Sequence, residues 1–296
     1  MIERVPHKFN FNNKTTKNKT KNKNGENMGE IVLVTSGNGG VGKSTAAVNI
    51  GACLASLSKS VVLVDGDVSM RQLDVLLGLE NRIVYDVLDL AERRCRSTQA
   101  LIKDKRFQSL YLLSAARLSN ASRLTSEQII MLCDELKREF DYVIIDCPVA
   151  RNMDMTFARL ADRVIVMAVP EVQSVRAADR AVSMLFTAGV KDPLLLVNKA
   201  RRDLIKQEIM LDVCSVEELI GIRLLGVIPH DDRIIGSSNK GEPAVLDIKC
   251  SARESFEAVS RELCGVRTHS SQMGIFSKLR SVIKSADPLE GYSIVR

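Results

Sequence analysis

The stretch "SGNGGVGKST", residues 36–45, decides the fold of this chain. It follows the apolar run "IVLVTS" (31–36) and leads into "KSTAAVNIGACLASL" (43–57), which has helical composition. Its spacing, G-x-x-x-x-G-K-[ST], lets glycines turn successive backbone N–H groups toward a phosphate chain at the start of a helix. The stretch therefore predicts a phosphate-binding loop between a strand and a helix.

The chemistry of such a loop assigns roles to its side chains. Lys43 is expected to reach the β- and γ-phosphates of a nucleoside triphosphate, and Ser44 is expected to ligate Mg²⁺. The residues predicted to bind the nucleotide here are Gly37, Asn38, Gly39, Gly40, Val41, Gly42, Lys43, Ser44 and Thr45.

The rest of the chain alternates short apolar runs with longer segments of helical period. Strands are predicted at 31–36, 60–65, 110–115, 141–146, 163–169, 193–198 and 224–229, and helices at 43–57, 126–140 and 174–189. Runs that are apolar at consecutive positions suit strands covered on both faces. The pattern predicts one α/β domain, a doubly wound and mostly parallel sheet with helices on both faces and ligands at the carboxyl ends of its strands.

Polar residues follow several of the predicted strands. Asp65 and Asp146 are placed to hold the Mg²⁺ shell, and Asp67 is placed to act with Lys43 in hydrolysis. Each aspartate could equally cap a loop or a turn. Further along the chain, Asn198 could read a base edge with Pro229 and Asp231 beside it, although all three also suit ordinary loops.

Composition limits the classes that remain. The net charge is +6, but residues 1–28 carry seven basic and two acidic side chains, so the remainder is nearly neutral. That tail is Asn/Lys-rich and is expected to be disordered. Seven cysteines form no CxxC pair, which favours buried thiols in a reducing cytosol. No run approaches the ~18 apolar residues that cross a bilayer.

The motifs together resemble the MinD/ParA family of ATPases, and in particular its MinD group. They are "SGNGGVGKST", "VDGDVSMRQLDVLLGLENRIVYDVLD", "QALIKDKRFQSLYLL", "FDYVIIDCP", "PEVQSVRAADR", "GVIPHDD" and "SSNKGEPAVLD", and the resemblance covers about residues 29–284. It implies an ATP- and Mg²⁺-dependent homodimer with two ATPs sandwiched between subunits. It also implies regulation of division septum placement, with a MinC-like division inhibitor and a MinE-like or other topological partner.

The chain's last part is consistent with reversible attachment to a membrane. Residues 274–284, "GIFSKLRSVIK", place five apolar side chains on one helical face and three basic side chains outside it. These are Ile275, Phe276, Leu279, Val282 and Ile283, with Lys278, Arg280 and Lys284. Such a short helix is expected to bind anionic lipid weakly, and two copies on an ATP-bound dimer would gain avidity. A last helix packed on the body is the alternative.

The expected organisation follows from these segments. Residues 1–28 are the tail, 29–266 the ATPase domain, 267–273 a linker, 274–284 the membrane-targeting helix and 285–296 a flexible end. The protein is expected to be cytoplasmic and reversibly peripheral on the inner face of the cell membrane. No nucleic acid is expected as a partner, because the charge outside the tail is nearly balanced.

Three departures from the family pattern cluster near the phosphates. Asn38 stands where the family has a lysine that reaches the partner subunit's phosphates, so ATP binding is expected to survive while hydrolysis slows. Ala150 replaces a flexible glycine in the loop after Asp146. Val68, Ser69 and Met70 replace an Ile-Gly-Leu pattern.

Those departures keep other functions open. A non-hydrolysing scaffold of the same family is the main alternative. A ParA-type DNA-segregation or flagellar-placement ATPase is another, and it would require a basic surface for DNA. An iron–sulfur reductase relative is weaker still, because no cysteine arrangement supplies a clear set of cluster ligands.

Overall fold

The main sheet and its covering helices lie within the described part of the chain. The computed structural model describes residues 20–21, 27–68, 70–116 and 124–265. The strands are β1 Thr20–Lys21, β2 Asn27–Met28, β3 Glu30–Ser36, β4 Val61–Asp65, β5 Ile102–Lys103, β6 Leu110–Leu113, β7 Tyr142–Asp146, β8 Arg163–Ala168, β9 Leu194–Ala200 and β10 Leu224–Pro229. The helices are α1 Lys43–Ser56, α2 Leu73–Leu77, α3 Val87–Ala91, α4 Ser97–Ala100, α5 Ser126–Glu139, α6 Met155–Leu160, α7 Val172–Thr187, α8 Arg202–Lys206, α9 Val213–Ile220, α10 Arg233–Asn239 and α11 Arg253–Leu263.

The main sheet has eight strands in the order β10-β9-β8-β3-β7-β4-β6-β5. All pairings are parallel except the edge pair, in which β5 runs antiparallel to β6. The predicted mostly parallel α/β sheet is therefore confirmed, and each of the seven predicted strands is present. Strand β5 was missed because two residues are too short to show a pattern.

Helices cover both faces of the sheet, as the consecutive apolar runs predicted. In β3, Val32 and Val34 belong to a core cluster on the α1 and α11 side. Ile31 and Leu33 belong to a second cluster, on the side of α5, α7 and α9. Successive side chains of a strand point to opposite faces, so a strand between two helical layers must be apolar at every position.

Strand β3 is the point in the sheet on either side of which the later strands are added. The carboxyl end of β3 is therefore the expected ligand edge of the sheet. From β3 the chain builds the β7, β4 and β6 side, and it later builds β8, β9 and β10 on the other side. Ligands bind in open α/β sheets at such switch points, beyond the carboxyl ends of the strands. Asp65 and Asp146 end neighbouring strands in register with each other, so both carboxylates come to this edge.

Local signals explain where the main helices begin. Thr125 accepts a hydrogen bond from the Gln128 N–H, and the Gln128 side chain accepts one from the Thr125 N–H, which starts α5 with a capping box. The predicted helices at 43–57, 126–140 and 174–189 correspond to α1, α5 and α7. Sequence periodicity placed these three because each is long and packs an apolar face on the sheet.

Part of the predicted tail lies in the described residues. Thr20–Lys21 pairs antiparallel with Asn27–Met28, forming a two-stranded ladder just before β3. The rest of the tail lies outside the described residues. So do the predicted linker, the predicted membrane-targeting helix at 274–284 and the end of the chain.

The seven cysteines are present as thiols. Cys53, Cys133, Cys147 and Cys250 are buried, Cys95 and Cys264 are half-buried, and Cys214 is exposed. The expectation of buried thiols therefore holds for four of the seven. Within the described residues, no helix combines the length and the apolar character that spanning a membrane requires.

Candidate nucleotide site

The phosphate-binding loop runs from the end of β3 to the first residue of α1, where the sequence predicted it. Gly42 precedes α1 with φ +93°, a left-handed conformation that favours glycine. A Cβ on Gly42 would also lie 2.4 Å from the amide nitrogen of Asn198. At Gly37, a Cβ would lie 1.9 Å from the carbonyl oxygen of Ala177 in α7. Both glycines are required because neighbouring elements approach the loop closely.

The helix α1 presents its amino end to this loop. Lys43, Ser44 and Thr45 form its first turn and are partly exposed, whereas the following ten residues are buried. The unpaired N–H groups of a first helical turn, together with the helix dipole, favour an anion. The loop and this helix end therefore form a site for phosphate oxygens.

The Asn38 side chain is hydrogen-bonded to α7. Its Oδ1 accepts a hydrogen bond of 3.2 Å from the hydroxyl of Ser174, which is buried near the start of α7. The hydroxyl of Ser36 donates to the Asn38 carbonyl oxygen at 2.6 Å. Asn38 therefore anchors the loop to its own subunit, which is a role that the sequence did not reveal.

Asn198 and Lys199, near the end of β9, hold the other side of the loop. The Asn198 amide nitrogen donates to the Val41 carbonyl oxygen at 2.7 Å, and the Lys199 ammonium donates to the Gly40 carbonyl oxygen at 2.7 Å. Asn198 is buried, as a residue wedged between sheet and loop must be. Its amide nitrogen is thus engaged with the loop, and its carbonyl oxygen is the atom with which it would read a base.

The surroundings of Asp146 are those of a carboxylate that could bind a cation. It is buried, and its Oδ1 has no hydrogen-bond partner among the described residues. Burial raises the pKa of Asp146 to about 6, while the nearby Ser44 hydroxyl and the charge of Lys43 lower it. A buried carboxylate oxygen without a donor is costly, and Mg²⁺ prefers oxygen ligands. Asp146 and Ser44 therefore fit a magnesium ion.

Asp65 was predicted to hold Mg²⁺, but its oxygens accept hydrogen bonds from the loop after β4. Its Oδ1 accepts from the Asp67 N–H at 3.2 Å, and its Oδ2 accepts from the N–H groups of Gln72 and Leu73 at 3.1 Å each. Burial, followed by the charge of Asp146, raises the pKa of Asp65 to about 7. Asp65 thus shapes the loop that carries Asp67 and leads to α2, as the loop-capping alternative allowed.

Gln72 is a residue of the site that the sequence did not single out. Its side-chain oxygen accepts a hydrogen bond of 3.2 Å from the Ser44 hydroxyl, and its backbone N–H donates to Asp65. Gln72 therefore links the predicted magnesium ligand to the loop after β4. A glutamine in a polar loop carries no pattern that would reveal this contact.

Pro229 ends β10, and Asp231 follows it in the next loop. The Asp231 carboxylate accepts hydrogen bonds from the N–H and hydroxyl of Ser251, at 2.6 and 2.7 Å, and from the Arg233 N–H at 2.8 Å. The Asp231 carboxylate therefore links the loop after β10 to the segment that contains Ser251. A base contact by Pro229 or Asp231 stays a prediction.

The two other departures from the family pattern differ in position. Ala150 is buried in a 3₁₀ turn, Ala150–Asn152, and it has no positive φ. Met70 is exposed and Val68 packs partly on the core, while Ser69 lies outside the described residues. The loop after Asp146 is therefore folded without the conformation that a glycine would permit.

The described residues form no cluster of three or more His, Cys, Asp or Glu side chains that could hold a metal ion by themselves. The magnesium ligands proposed here are one carboxylate and one hydroxyl, which would share the ion with phosphate oxygens and water.

Comparison with known proteins identifies several close similarities. The ParA family model, described as NUBPL iron-transfer P-loop NTPase, matches residues 27–264. The septum site-determining protein MinD of Bacillus subtilis is 44% identical over 241 residues, which are 80% of this chain and 90% of that protein. The MinC:MinD cell division protein complex of Aquifex aeolicus contains a chain with TM-score 0.76 and 36% identity, and the match covers 81% of this chain and 97% of that one. MinD of Pyrococcus horikoshii, complexed with Mg-ADP, shares the fold at TM-score 0.70 and 23% identity, covering 84% and 98% of the two chains.

Proposed function

Because the chain belongs to the ParA family of P-loop NTPases, and within it to the MinD-like septum site-determining proteins, we propose that it is an ATP switch for septum placement. In its ATP-bound state it forms a homodimer on the inner face of the cell membrane. Hydrolysis, which is slow in this chain, returns it to the cytoplasm.

The observation that carries this proposal is the Oδ1 of Asp146, which has no hydrogen-bond partner in the described part of the chain and lies beside a fully formed phosphate-binding loop. A buried, ionised carboxylate oxygen without a donor is costly, and a bound cation would compensate that cost. Magnesium, held by Asp146 and Ser44, would neutralise phosphate charge when ATP is bound. ATP and Mg²⁺ are thus the proposed cofactors.

The chain's own residues divide the work of binding and hydrolysis. The loop N–H groups and Lys43 bind the phosphates, and Asp67 orients the attacking water from the loop that Asp65 shapes. Asn38 supplies no cation, because its side chain is neutral and is hydrogen-bonded to Ser174. Hydrolysis therefore lacks one source of charge stabilisation, which supports a slow rate.

Ser44 and Gln72 couple the nucleotide to the loop after β4. The Ser44 hydroxyl donates to Gln72 in this structure, and ligation of magnesium through its oxygen lone pair would reorient that donor. Gln72 is also bound through its N–H to Asp65, so the change reaches α2, which begins at the next residue. This path would let α2 respond to the nucleotide.

The proposed membrane contact is made by the amphipathic segment 274–284, whose five apolar side chains enter the interface while three basic ones meet anionic headgroups. One such helix binds weakly, so attachment depends on two copies in a dimer. A MinC-like division inhibitor is the proposed partner, supported by the similarity to a MinD chain from a MinC:MinD complex. A MinE-like topological partner remains part of the proposal.

The test is co-sedimentation of the full chain with anionic vesicles in ATP or ADP. We expect ATP to raise the bound fraction several-fold, and replacement of Phe276 by Glu to remove the ATP-dependent part. Equal binding in ATP and ADP would contradict a nucleotide switch.

Asn38 favours a second candidate, a scaffold that binds ATP without hydrolysing it. Its inward anchor leaves the loop formed but without the family's second cation. ATP turnover in the presence of vesicles separates the two functions. A measurable turnover supports the switch, whereas ATP-dependent vesicle binding without turnover supports the scaffold.

A further inference from the structure

Four side chains tie down the phosphate-binding loop through its own oxygen atoms. Ser36 and Ser174 bind Asn38, while Asn198 and Lys199 bind the carbonyl oxygens of Val41 and Gly40. Ser36 and Asn198 are buried neighbours of the loop, as is Ser174. Lys199 differs, because its side chain is exposed and crosses to the loop from outside.

The tip of the loop depends on this exposed lysine. Gly39 and Gly40 are exposed, and a Cβ added at either would meet no atom within 4 Å. Glycine loses more conformational freedom on ordering than any other residue, and fixing one residue costs roughly 1–2 kcal/mol. The 2.7 Å bond from the Lys199 ammonium to the Gly40 oxygen opposes that freedom at the tip.

The backbone of Lys199 is itself strained. Its φ is +56°, in the left-handed region that non-glycine residues rarely adopt. Such strain costs of order 1 kcal/mol and persists only where the surrounding structure determines the conformation. Here Lys199 adopts this conformation directly after the buried Asn198, and its side chain reaches the loop.

The ammonium of Lys199 is matched to a neutral oxygen. Among the described residues it has no carboxylate partner, and its one hydrogen bond is to the Gly40 carbonyl. A charged donor on a neutral carbonyl makes a stronger hydrogen bond than a neutral donor does. The bond therefore restrains the loop tip even though the ammonium is exposed.

We propose that Lys199 is a positioning residue, which holds the tip of the phosphate-binding loop in its nucleotide-ready shape through the Gly40 carbonyl. Its contribution is to the affinity for nucleotide, because a loop that is already ordered loses less entropy on binding. Since Lys199 acts through the loop carbonyl in this proposal, it strengthens the binding of ATP and ADP equally. The inference rests on the proposed nucleotide binding.

The test measures the dissociation constants of fluorescent ATP and ADP, and of unlabelled pyrophosphate by competition, for the full chain. Lys199→Met removes the donor and keeps the length of the side chain, and Lys199→Arg keeps a cationic donor. Arg93→Met is the matched control, because Arg93 is an exposed basic residue whose φ is also +56°. The melting temperature of each nucleotide-free variant reports any loss of stability.

We expect Lys199→Met to raise the dissociation constants of all three ligands by the same factor, roughly tenfold. Lys199→Arg should recover most of the affinity, while Arg93→Met should match the wild type. A melting temperature of Lys199→Met close to that of Arg93→Met would show that the loss is not one of folding.

Three results would overturn the inference. They are unchanged affinity in Lys199→Met, a loss confined to ATP, which would indicate direct contact with the terminal phosphate, and an equal loss in Arg93→Met. If the wild-type chain binds neither ATP nor ADP, the proposed function itself fails, so the two failures are distinguishable.

Discussion

The Asn38 side chain accepts a hydrogen bond from Ser174, which directs it toward α7 and away from the open side of the loop. The resemblance to the family implies a lysine at this position, whose charge acts outside its own subunit. An asparagine here exchanges that charge for an anchor within the domain. The loop N–H groups and Lys43 remain available to bind phosphate, so we expect the replacement to affect hydrolysis more than binding.

Asn38→Lys is expected to raise the ATPase rate of the chain at saturating ATP by at least tenfold, because a cation can stabilise charge that develops on the phosphates. Steady-state phosphate release measures the rate. Asn38→Ala is the control, since it removes the Ser174 contact without adding charge. A rate for Asn38→Lys equal to that of the wild type would show that this position does not limit hydrolysis.

Asp146 gives the second prediction at the residue scale, and it depends on pH. Its folded-state pKa is about 6, above the ordinary value of 3.8, so folding favours its protonated form. Protonation of Asp146 therefore stabilises the folded protein fully below about pH 4, and this stabilisation is lost as the pH rises through about 6. Asp146→Asn should therefore raise the free energy of unfolding of the nucleotide-free protein at pH 8, by roughly 1–3 kcal/mol.

Urea unfolding of both proteins at pH 8 and pH 5 tests this expectation. The gain should shrink at pH 5, where Asp146 is largely neutral in the wild type. The same variant should lose the stabilisation that Mg-ATP gives the wild type, because the amide cannot replace a carboxylate at the ion. A variant less stable than the wild type at pH 8 would mean that the Asp146 charge is already compensated.

At the scale of elements, Arg106 joins the ends of two helices. Its guanidinium donates to the carbonyl oxygens of Leu77, at the end of α2, and Gly241, just after α10, at 2.8 and 2.7 Å. It also binds the buried Asp104 through two nitrogens, at 2.6 and 3.1 Å. These bonds hold α2, which follows the loop after β4, against α10, which follows the loop that contains Asp231.

Arg106→Met is expected to lower the free energy of unfolding by roughly 3 kcal/mol or more, because it leaves Asp104 buried without its cation. Chemical denaturation measures the change. Arg82→Met is the matched control, since Arg82 makes one exposed hydrogen bond, to the Lys103 carbonyl, and should change stability by less than about 1 kcal/mol. The double variant Asp104→Asn, Arg106→Met should recover part of the loss. If Arg106→Met alone lowered the free energy of unfolding by less than about 1 kcal/mol, Arg106 would not be what holds α2 against α10.

At the scale of the whole molecule, α11 completes one face of the core. Phe256, Val259 and Leu263 are buried against α1 and β10, and the Tyr142 hydroxyl donates to the Leu263 carbonyl oxygen at 3.2 Å. Three such side chains contribute of order 5–8 kcal/mol, which is comparable with the whole stability of a domain. The chain beyond Gly265 lies outside the described residues.

A chain that ends at Gly265 keeps α11 and its core contacts, and we expect it to melt within about 2 °C of the full chain and to bind ATP with the same affinity. It should lose ATP-dependent vesicle binding, since it lacks residues 274–284. A chain that ends at Ala252, without α11, is expected to be unfolded. Circular dichroism melting and nucleotide titration test both, and vesicle binding by the chain that ends at Gly265 would contradict the proposed membrane contact.

The sequence by itself determined the sheet and the phosphate-binding loop. Each parallel strand lies between two layers of helices, so burial forces apolar residues at every position and leaves a run such as "YVIID" that can be recognised locally. The loop is also local, because its glycines, Lys43 and Ser44 lie within eight residues between a strand and a helix.

Only the tertiary structure decided how the site is held together. The hydrogen bonds of Asn38 to Ser174 and of Gly40 to Lys199 join residues 136 and 159 positions apart. The roles of Asp65 and Asp146 also differ only by their surroundings, since both follow buried strands in similar sequence. Such contacts depend on the order in which strands assemble and on close packing, and local patterns in the sequence record neither.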